Sequence, residues 1–174
     1  MGGIGHYGII FAKALGAETW AISRSHAKEA DMKELGADGF IATQDKDWEV
    51  PHKMTFDLIV NTANASEGFE LGKYLSMMDV HGHFVSVGLP EDQGNQIHAK
   101  DLISNGVLIG ASHIGNRKET IEMLQLAADK GLKSMVQEIP ISEAGLKEAV
   151  TKLKKNDVRY RFTMTEYGKA FPDA

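Results

Sequence analysis

Gly2 and Gly5, and about 20 residues further on a hydroxyl beside two cations at Ser23, Arg24 and Lys28, are the residues whose types and spacing could act together. Met1-Gly2-Gly3-Ile4-Gly5 fits the last five positions of a G-x-G-x-x-G phosphate turn, with Gly2 and Gly5 as its second and third glycines. Lacking a Cβ, Gly2 lets backbone approach a pyrophosphate, Gly5 lets a helix pack closely on a strand, and Gly8 extends that packing. The helix that follows would aim unpaired N–H groups and a positive dipole end at the same anion. In dinucleotide sites an Asp or Glu at the tip of the second strand takes the adenosine ribose hydroxyls of NAD. Here that tip reads Ile22-Ser23-Arg24-Ser25, with no carboxylate to repel a 2′-phosphate. Ser23 can donate a hydrogen bond, Arg24 offers a planar fork and Lys28 a point charge, so NADP(H) is the expected ligand. Taken alone, SRSHAK reads as a helix-capping loop with solvated charges; glycines at the proper separation turn the reading toward a nucleotide.

Parallel strands have to position these residues. Short apolar runs alternate with amphipathic stretches, the rhythm of βαβ units. The pattern predicts a helix over 6–15 ended by Gly16, a strand over 19–22, a helix over 28–35 closed by Gly36, and a strand over 39–42. It continues with a strand over 57–61, a helix over 68–78 capped by Ser66, and Gly82 turning into a strand over 83–88. A strand over 107–112 follows, then a helix over 117–130 stopped by Gly131. Leu146, Ala149, Val150 and Leu153 mark an amphipathic helix before a last strand over 161–165. The expected fold class is α/β, a Rossmann-type doubly wound parallel sheet. Because the chain begins inside the glycine turn, the sheet is expected to lack its first, central strand. One domain over 1–174 is expected, with a helix–strand tail from about residue 140.

The remaining composition narrows the function. A net charge of -5 leaves no broad cationic face for a phosphate backbone, so nucleic acid is not an expected partner. Cys 0 removes disulfides, thiolate nucleophiles and cysteine-based zinc sites. There is no signal-peptide pattern and no apolar run long enough to span a bilayer, so a cytoplasmic address is expected. His81-Gly82-His83 supplies too few ligands for a metal, and no Ser-His-Asp arrangement stands out. Lys13, Lys147, Lys152, Lys154 and Lys155 are expected on solvated helix faces, and Met77 and Met78 in the core. The apolar run 107–111, last in the expected sheet, could pair with a second copy through its open edge or be covered by the following helix.

The segments GGIGHYGIIFAKALGAETWAISRSHAK, DLIVNTAN, HFVSVGLPE and NDVRYRF resemble zinc-dependent medium-chain alcohol dehydrogenases across essentially the whole chain. The similarity is strongest to the cinnamyl-alcohol-dehydrogenase-like branch with its fungal NADP-dependent members, and SRS and DVRYRF carry it. By resemblance, Gly2, Gly3 and Ile4 line the pyrophosphate; Ser23, Arg24 and Lys28 take the 2′-phosphate; and Thr62 and Ala63 lie near the adenosine. Val87, Leu89, Ser112 and Ile114 match backbone positions that hold the nicotinamide amide, and Arg159 matches an arginine that reaches the phosphates. The resemblance implies an oxidoreductase passing hydride between NADP(H) and a primary alcohol or aldehyde, and a homodimer paired through 107–111. The zinc ligands and substrate pocket belong to an N-terminal GroES-like domain that this sequence does not match, so the chain alone is expected to be inactive. Two other readings stand beside it: a truncated NADP-binding or subunit-interaction module without catalysis, and a zinc-free quinone reductase of the same superfamily, which SRS and DVRYRF fit less well.

Overall fold

The computed structural model describes residues 2–63, 68–88, 97–155 and 157–172. The chain opens with α1 (Gly3–Ala14) and β1 (Trp20–Ser23), then a 3-10 turn at His26–Lys28, α2 (Glu29–Glu34) and β2 (Gly39–Ala42). A second 3-10 turn (Val50–His52) precedes β3 (Phe56–Asn61), α3 (Leu71–Ser76), β4 (Met78–Ser86), α4 (Ala99–Ile103) and β5 (Leu108–Ala111). The last part holds α5 (Arg117–Asp129), β6 (Gln137–Pro140), α6 (Glu143–Lys154), β7 (Phe162–Thr165) and α7 (Tyr167–Ala170). Among the described residues every ladder is parallel: β1 with β2, β3-β4-β5 in that order, and β6 with β7. Parallel strands joined through helices give the expected α/β architecture. The pairs β2-β1 and β3-β4-β5 are the two wings of a doubly wound sheet, and among the described residues no ladder joins β1 to β3.

Local sequence explains the elements. Gly16, Gly36 and Gly131 follow α1, α2 and α5 at φ of +90°, +97° and +61°, the left-handed conformation that closes a helix cheaply only for glycine. Gly39 faces Trp20 across the β1–β2 ladder, and a Cβ there would enter the indole ring. One apolar core joins Ile41 and Trp48 to Ile59, Leu75, Met77, Met78 and Phe84, with Trp20 and Phe56 packed on its margin. A second core joins Ile9 of α1, Ala21 of β1 and Met32 of α2 to Tyr160, so part of the tail packs into the nucleotide-turn half of the molecule.

Several expectations change. α3 begins only at Leu71, and the expected cap, Ser66, lies outside the described residues. β4 starts at Met78 and runs through Gly82: the register passes from Phe56↔Met78 to Leu58↔His83 across a bulge. His81, not Gly82, takes the positive φ there, at 60°. Gly82 is buried, and a Cβ added to it would stand 2.8 Å from Met78 Cε and 3.0 Å from the carbonyl oxygens of Asp79 and Phe56. Gly8 does no close packing, since nothing lies within 4 Å of a Cβ placed on it. Lys13 is not simply solvated: its Nζ donates to both carboxylate oxygens of Asp38, at 2.9 and 2.8 Å, and ties α1 to β2. Of the apolar stripe on α6, Ala149 is buried, whereas Leu146, Val150 and Leu153 are exposed.

Candidate cofactor site

The glycine turn ends in a helix terminus left open. Gly2 is the N-cap of α1 in an extended conformation, without a side-chain cap and without an acidic residue in the first turn. The other helices of twelve or more residues are closed: Asn116 and Glu119 form a capping box on α5, and Ser142 Oγ accepts the Gly145 N–H on α6. In α1 the first intrahelical bond is donated by His6 N–H to the Gly2 carbonyl, so the preceding amides point outward as donors for an anion. Around Gly2 a Cβ would meet nothing within 4 Å among the described residues. His6 stiffens the turn from below. Its ring is fully buried, and Nδ1 donates to the Gly3 carbonyl at 2.7 Å, which leaves Nε2 buried without a partner. Burial, more than the charge of Arg161, pushes its pKa down.

The second cluster lies at the end of β1. Ser23 is half-buried, its carbonyl accepting from Thr43 N–H at 2.9 Å, while Arg24 is exposed. Lys28 ends the 3-10 turn with Nζ 5.2 Å from the centre of the Tyr160 ring. Burial and the nearby Arg159 charge lower its pKa, opposed by Asp31. Arg159 Nη1 and the Tyr160 hydroxyl both donate to Asp31 Oδ2, each at 2.6 Å. Burial, with the Asp31 bond second, holds the Tyr160 phenol above its usual range. Arg159 therefore stands against α2 beside Lys28, whereas Arg161 lies at the glycine turn: its Cγ is 3.7 Å and its Nη1 3.9 Å from where a Gly3 Cβ would be.

The third cluster is braced at the ends of β3, β4 and β5. Asn61 Oδ1 accepts the Ala63 N–H at 3.1 Å and Asn61 Nδ2 donates to Ser86 Oγ at 3.3 Å. The Asn61 carbonyl accepts from both Val87 and Gly88 N–H, and Ser112 N–H donates to the Ser86 carbonyl. A Cβ on Gly88 would collide with the Ala63 carbonyl, so this glycine is what lets the two loops touch. Thr62 and Val87 are half-buried and Ala63, Ser112 and Ile114 exposed; Leu89 lies outside the described residues.

Among the described residues, Ser23 ends β1 with Arg24 and Lys28 after it, Thr62 and Ala63 follow β3, Val87 follows β4, and Ser112 and Ile114 follow β5, the strand ends where α/β sheets hold nucleotides; Gly2 to Gly5 lie at the start of α1, whereas Arg159 stands before β7. Arg159 joins Lys28, and Ala63, Val87 and Ser112 come together through Asn61 and Ser86. The reading from sequence missed Asp31, Tyr160 and Arg161, whose partners are distant in the chain, and Asn61 and Gly88, for which strand-end position was the available signal. Open cavities of about 400 Å³ beside Glu70 and Asp101 and about 430 Å³ beside Lys13 and Lys130 contain none of the expected residues. Among the described residues no group of three or more His, Cys, Asp or Glu could hold a metal, and no helix is long and apolar enough to cross a membrane.

Residues 3–129 match the family model described as zinc-binding dehydrogenase. The chain is 40% identical over 174 residues to NADP-dependent alcohol dehydrogenase 6 of Saccharomyces cerevisiae, covering 99% of this chain and 48% of that protein. It is 34% identical to cinnamyl alcohol dehydrogenase 2 of Arabidopsis thaliana, covering 100% of this chain and 45% of that protein. The structure of a cinnamyl alcohol dehydrogenase from Sorghum bicolor superposes with a TM-score of 0.84 at 30% identity, over 92% of this chain and 44% of the other. The chain thus spans about half the length of the curated relatives it matches. With the family model covering most of its residues and the fold agreeing, the chain belongs to the zinc-binding dehydrogenase family.

Proposed function

We propose that this chain is the NADP(H)-binding portion of an NADP(H)-dependent alcohol dehydrogenase or aldehyde reductase. The observation that carries the reading is the β1 tip, where Ser23, Arg24 and Lys28 stand in place of a carboxylate, beside an uncapped α1 terminus opened by Gly2. The longer relatives whose names state NADP dependence support it. In this reading the backbone of Gly2, Gly3, Ile4 and Gly5 receives the pyrophosphate, and Ser23, Arg24 and Lys28 bind the 2′-phosphate. Thr62 and Ala63 lie along the adenosine side. The loops at Val87, Leu89, Ser112 and Ile114 orient the nicotinamide amide, with Ala63 and Val87 held together through Asn61. Bound there, NADP(H) would supply the hydride donor or acceptor for a primary alcohol and its aldehyde.

The zinc in the family's description finds no fitting ligand set among the described residues, and no step of this chain's chemistry runs through it. Binding of substrate and metal belongs, in this reading, to regions of the longer relatives that this chain does not match. The exposed Leu146, Val150 and Leu153 of the tail helix suit such a contact. Among the described residues β5 is hydrogen-bonded on one side, to β4, with Leu108 and Ile109 exposed, so pairing of two copies through that edge is part of the same proposal, as is a cytoplasmic location. A thermal-shift series tests the core of it. NADP+ is expected to raise the melting temperature more than equal concentrations of NAD+, and a larger rise with NAD+ would reject it.

A further inference from the structure

His26 is held between two carboxylates. It opens the 3-10 turn that ends in Lys28, with its Nδ1 2.7 Å from Glu29 Oε2 and its Nε2 3.0 Å from Asp45 Oδ2. A neutral imidazole has one N–H and a carboxylate only accepts, so the two bonds together require the doubly protonated ring. Resting on the NADP(H) reading of the β1 tip, we propose that His26 is a positioning and specificity residue: as a cation it fixes the turn that bears Lys28 and masks the Asp45 carboxylate, and the preference for NADP+ over NAD+ declines when it gives up its proton.

The segments after β1 and β2 run side by side here. Thr43 N–H donates to the Ser23 carbonyl and Gln44 N–H to the Arg24 carbonyl, at 2.9 and 3.0 Å, and the His26–Asp45 bond continues the same seam. The turn is not fastened by its own N-cap, since Ser25 is extended and makes no side-chain cap bond. The charges around His26 come from three elements, while its ring lies 5.8 Å from the uncharged ring of Phe40 in β2. On α2, Glu29 is also held by Lys33, whose Nζ is 2.7 Å from Oε1, so it stays compensated without the histidine. After β2, Asp45 is paired with His26, and the adjacent Lys46 pairs with Asp47. In the turn itself, Arg24 and Lys28 stand two residues to either side of His26. Loss of the imidazolium therefore leaves Asp45 as an uncompensated carboxylate beside the β1 tip, the kind of charge that favours an unphosphorylated ribose in dinucleotide sites. The Glu29 bond, then the Asp45 bond, raise the His26 pKa, so the proton is held through neutral pH and lost on the alkaline side.

The test is titration of the full 174-residue chain with NADP+ and NAD+ from about pH 7 to about pH 9, where the 2′-phosphate stays a dianion. In the parent, the ratio of the two affinities is expected to fall about two- to fivefold across the range, the scale of one exposed charge pair. His26→Gln, which keeps a polar side chain without the charge, should start at the low ratio and stay there. Adding Asp45→Asn to His26→Gln should recover most of the ratio at every pH, because the carboxylate to be masked is gone; a double variant left at the low ratio would overturn the masking. Asp45→Asn alone should hold the high ratio throughout, and it serves where the glutamine variant does not fold. A parent profile parallel to that of His26→Gln would assign the alkaline loss to Lys28, whose pKa burial lowers, and would overturn the proposal. Equal weakening of both cofactors in His26→Gln, the mark of a merely structural role, would do the same. A parent that prefers NADP+ with a ratio unchanged by pH overturns the proposal and leaves the NADP(H) reading standing. A parent that prefers NAD+ at every pH, or binds neither, fails that reading and the proposal with it.

Discussion

A carboxylate placed at the tip of β1 by Ser23→Asp perturbs cofactor choice where the fold concentrates it. Ser23 is half-buried and its backbone is held by Thr43, so the new side chain would stand partly desolvated at the strand end. For a charge pair about 5 Å apart, repulsion runs from about 1 kcal/mol in water to about 3 kcal/mol at an effective dielectric of ~20. A 2′-phosphate carries roughly 1.5 to 2 charges, and Arg24 and Lys28 at the same tip offset part of the repulsion. Loss of the serine hydroxyl bond adds about 1 kcal/mol. The sum is about 2–4 kcal/mol, or roughly 30- to 1,000-fold weaker NADPH binding. NADH should gain up to about tenfold, because the aspartate can accept from the ribose hydroxyls. Titration followed by the fluorescence of the reduced cofactors measures both constants, with circular dichroism to confirm the fold. Ser23→Ala, removing the hydroxyl alone, should cost at most about tenfold. Equal loss of NADPH and NADH in Ser23→Asp would refute the reasoning, since a local collapse and not phosphate repulsion would then explain the change.

Other expectations follow from the same geometry. Asn61→Ala removes two side-chain hydrogen bonds that brace the loops after β3 and β4, so urea unfolding should show a loss of about 1–3 kcal/mol. Gly88→Val drives a side chain into the Ala63 carbonyl and should destabilise by more than about 2 kcal/mol; Gly110→Ala, with nothing within 4 Å of the added carbon, serves as the neutral comparison. His6 has a pKa lowered below 6.5 by burial, so the folded chain binds fewer protons there than the unfolded one. Its contribution is therefore full above pH 6.5 and lost as pH falls toward the lowered value. His26, raised by Glu29 and Asp45, acts in the opposite sense and is common to parent and variant. His6→Phe should accordingly lose less stability than the parent between neutral and mildly acidic pH; parallel curves would contradict this. NADP+ affinity should also fall below about pH 6, where the 2′-phosphate dianion takes up a proton and becomes a monoanion, while NAD+ affinity holds.

Much of the scaffold was legible because its signals are local. TWAI and GFIA are short apolar runs set off by helix-closing glycines, and GFIA coincides with β2. The glycines at the start of α1 and the Ser23, Arg24 and Lys28 cluster at the end of β1 were visible as a spacing because they lie on elements adjacent in the chain. Features set by distant partners could not be read. The bulge at His81 depends on Asn105, whose carbonyl accepts its N–H, and a histidine at positive φ has no strong sequence signature. β6 is four residues of QEIP, too short and polar to announce a strand, and forms through its parallel pairing with β7. The Asp31–Arg159 pair spans 128 positions, so neither residue's neighbours hint at it. Gly8 misled because a glycine beside a glycine-rich turn invites a packing role that the exposed face of α1 does not require.

The central claim is that the end of β1 selects a phosphorylated ribose. Calorimetric titration of the unmodified chain with NADP+ and NAD+, at low and at moderate salt, tests it most directly. Tighter NADP+ binding, by about tenfold or more and shrinking as salt screens the Arg24 and Lys28 charges, is the predicted result. NAD+ binding as tightly as NADP+, with neither affected by salt, would contradict it.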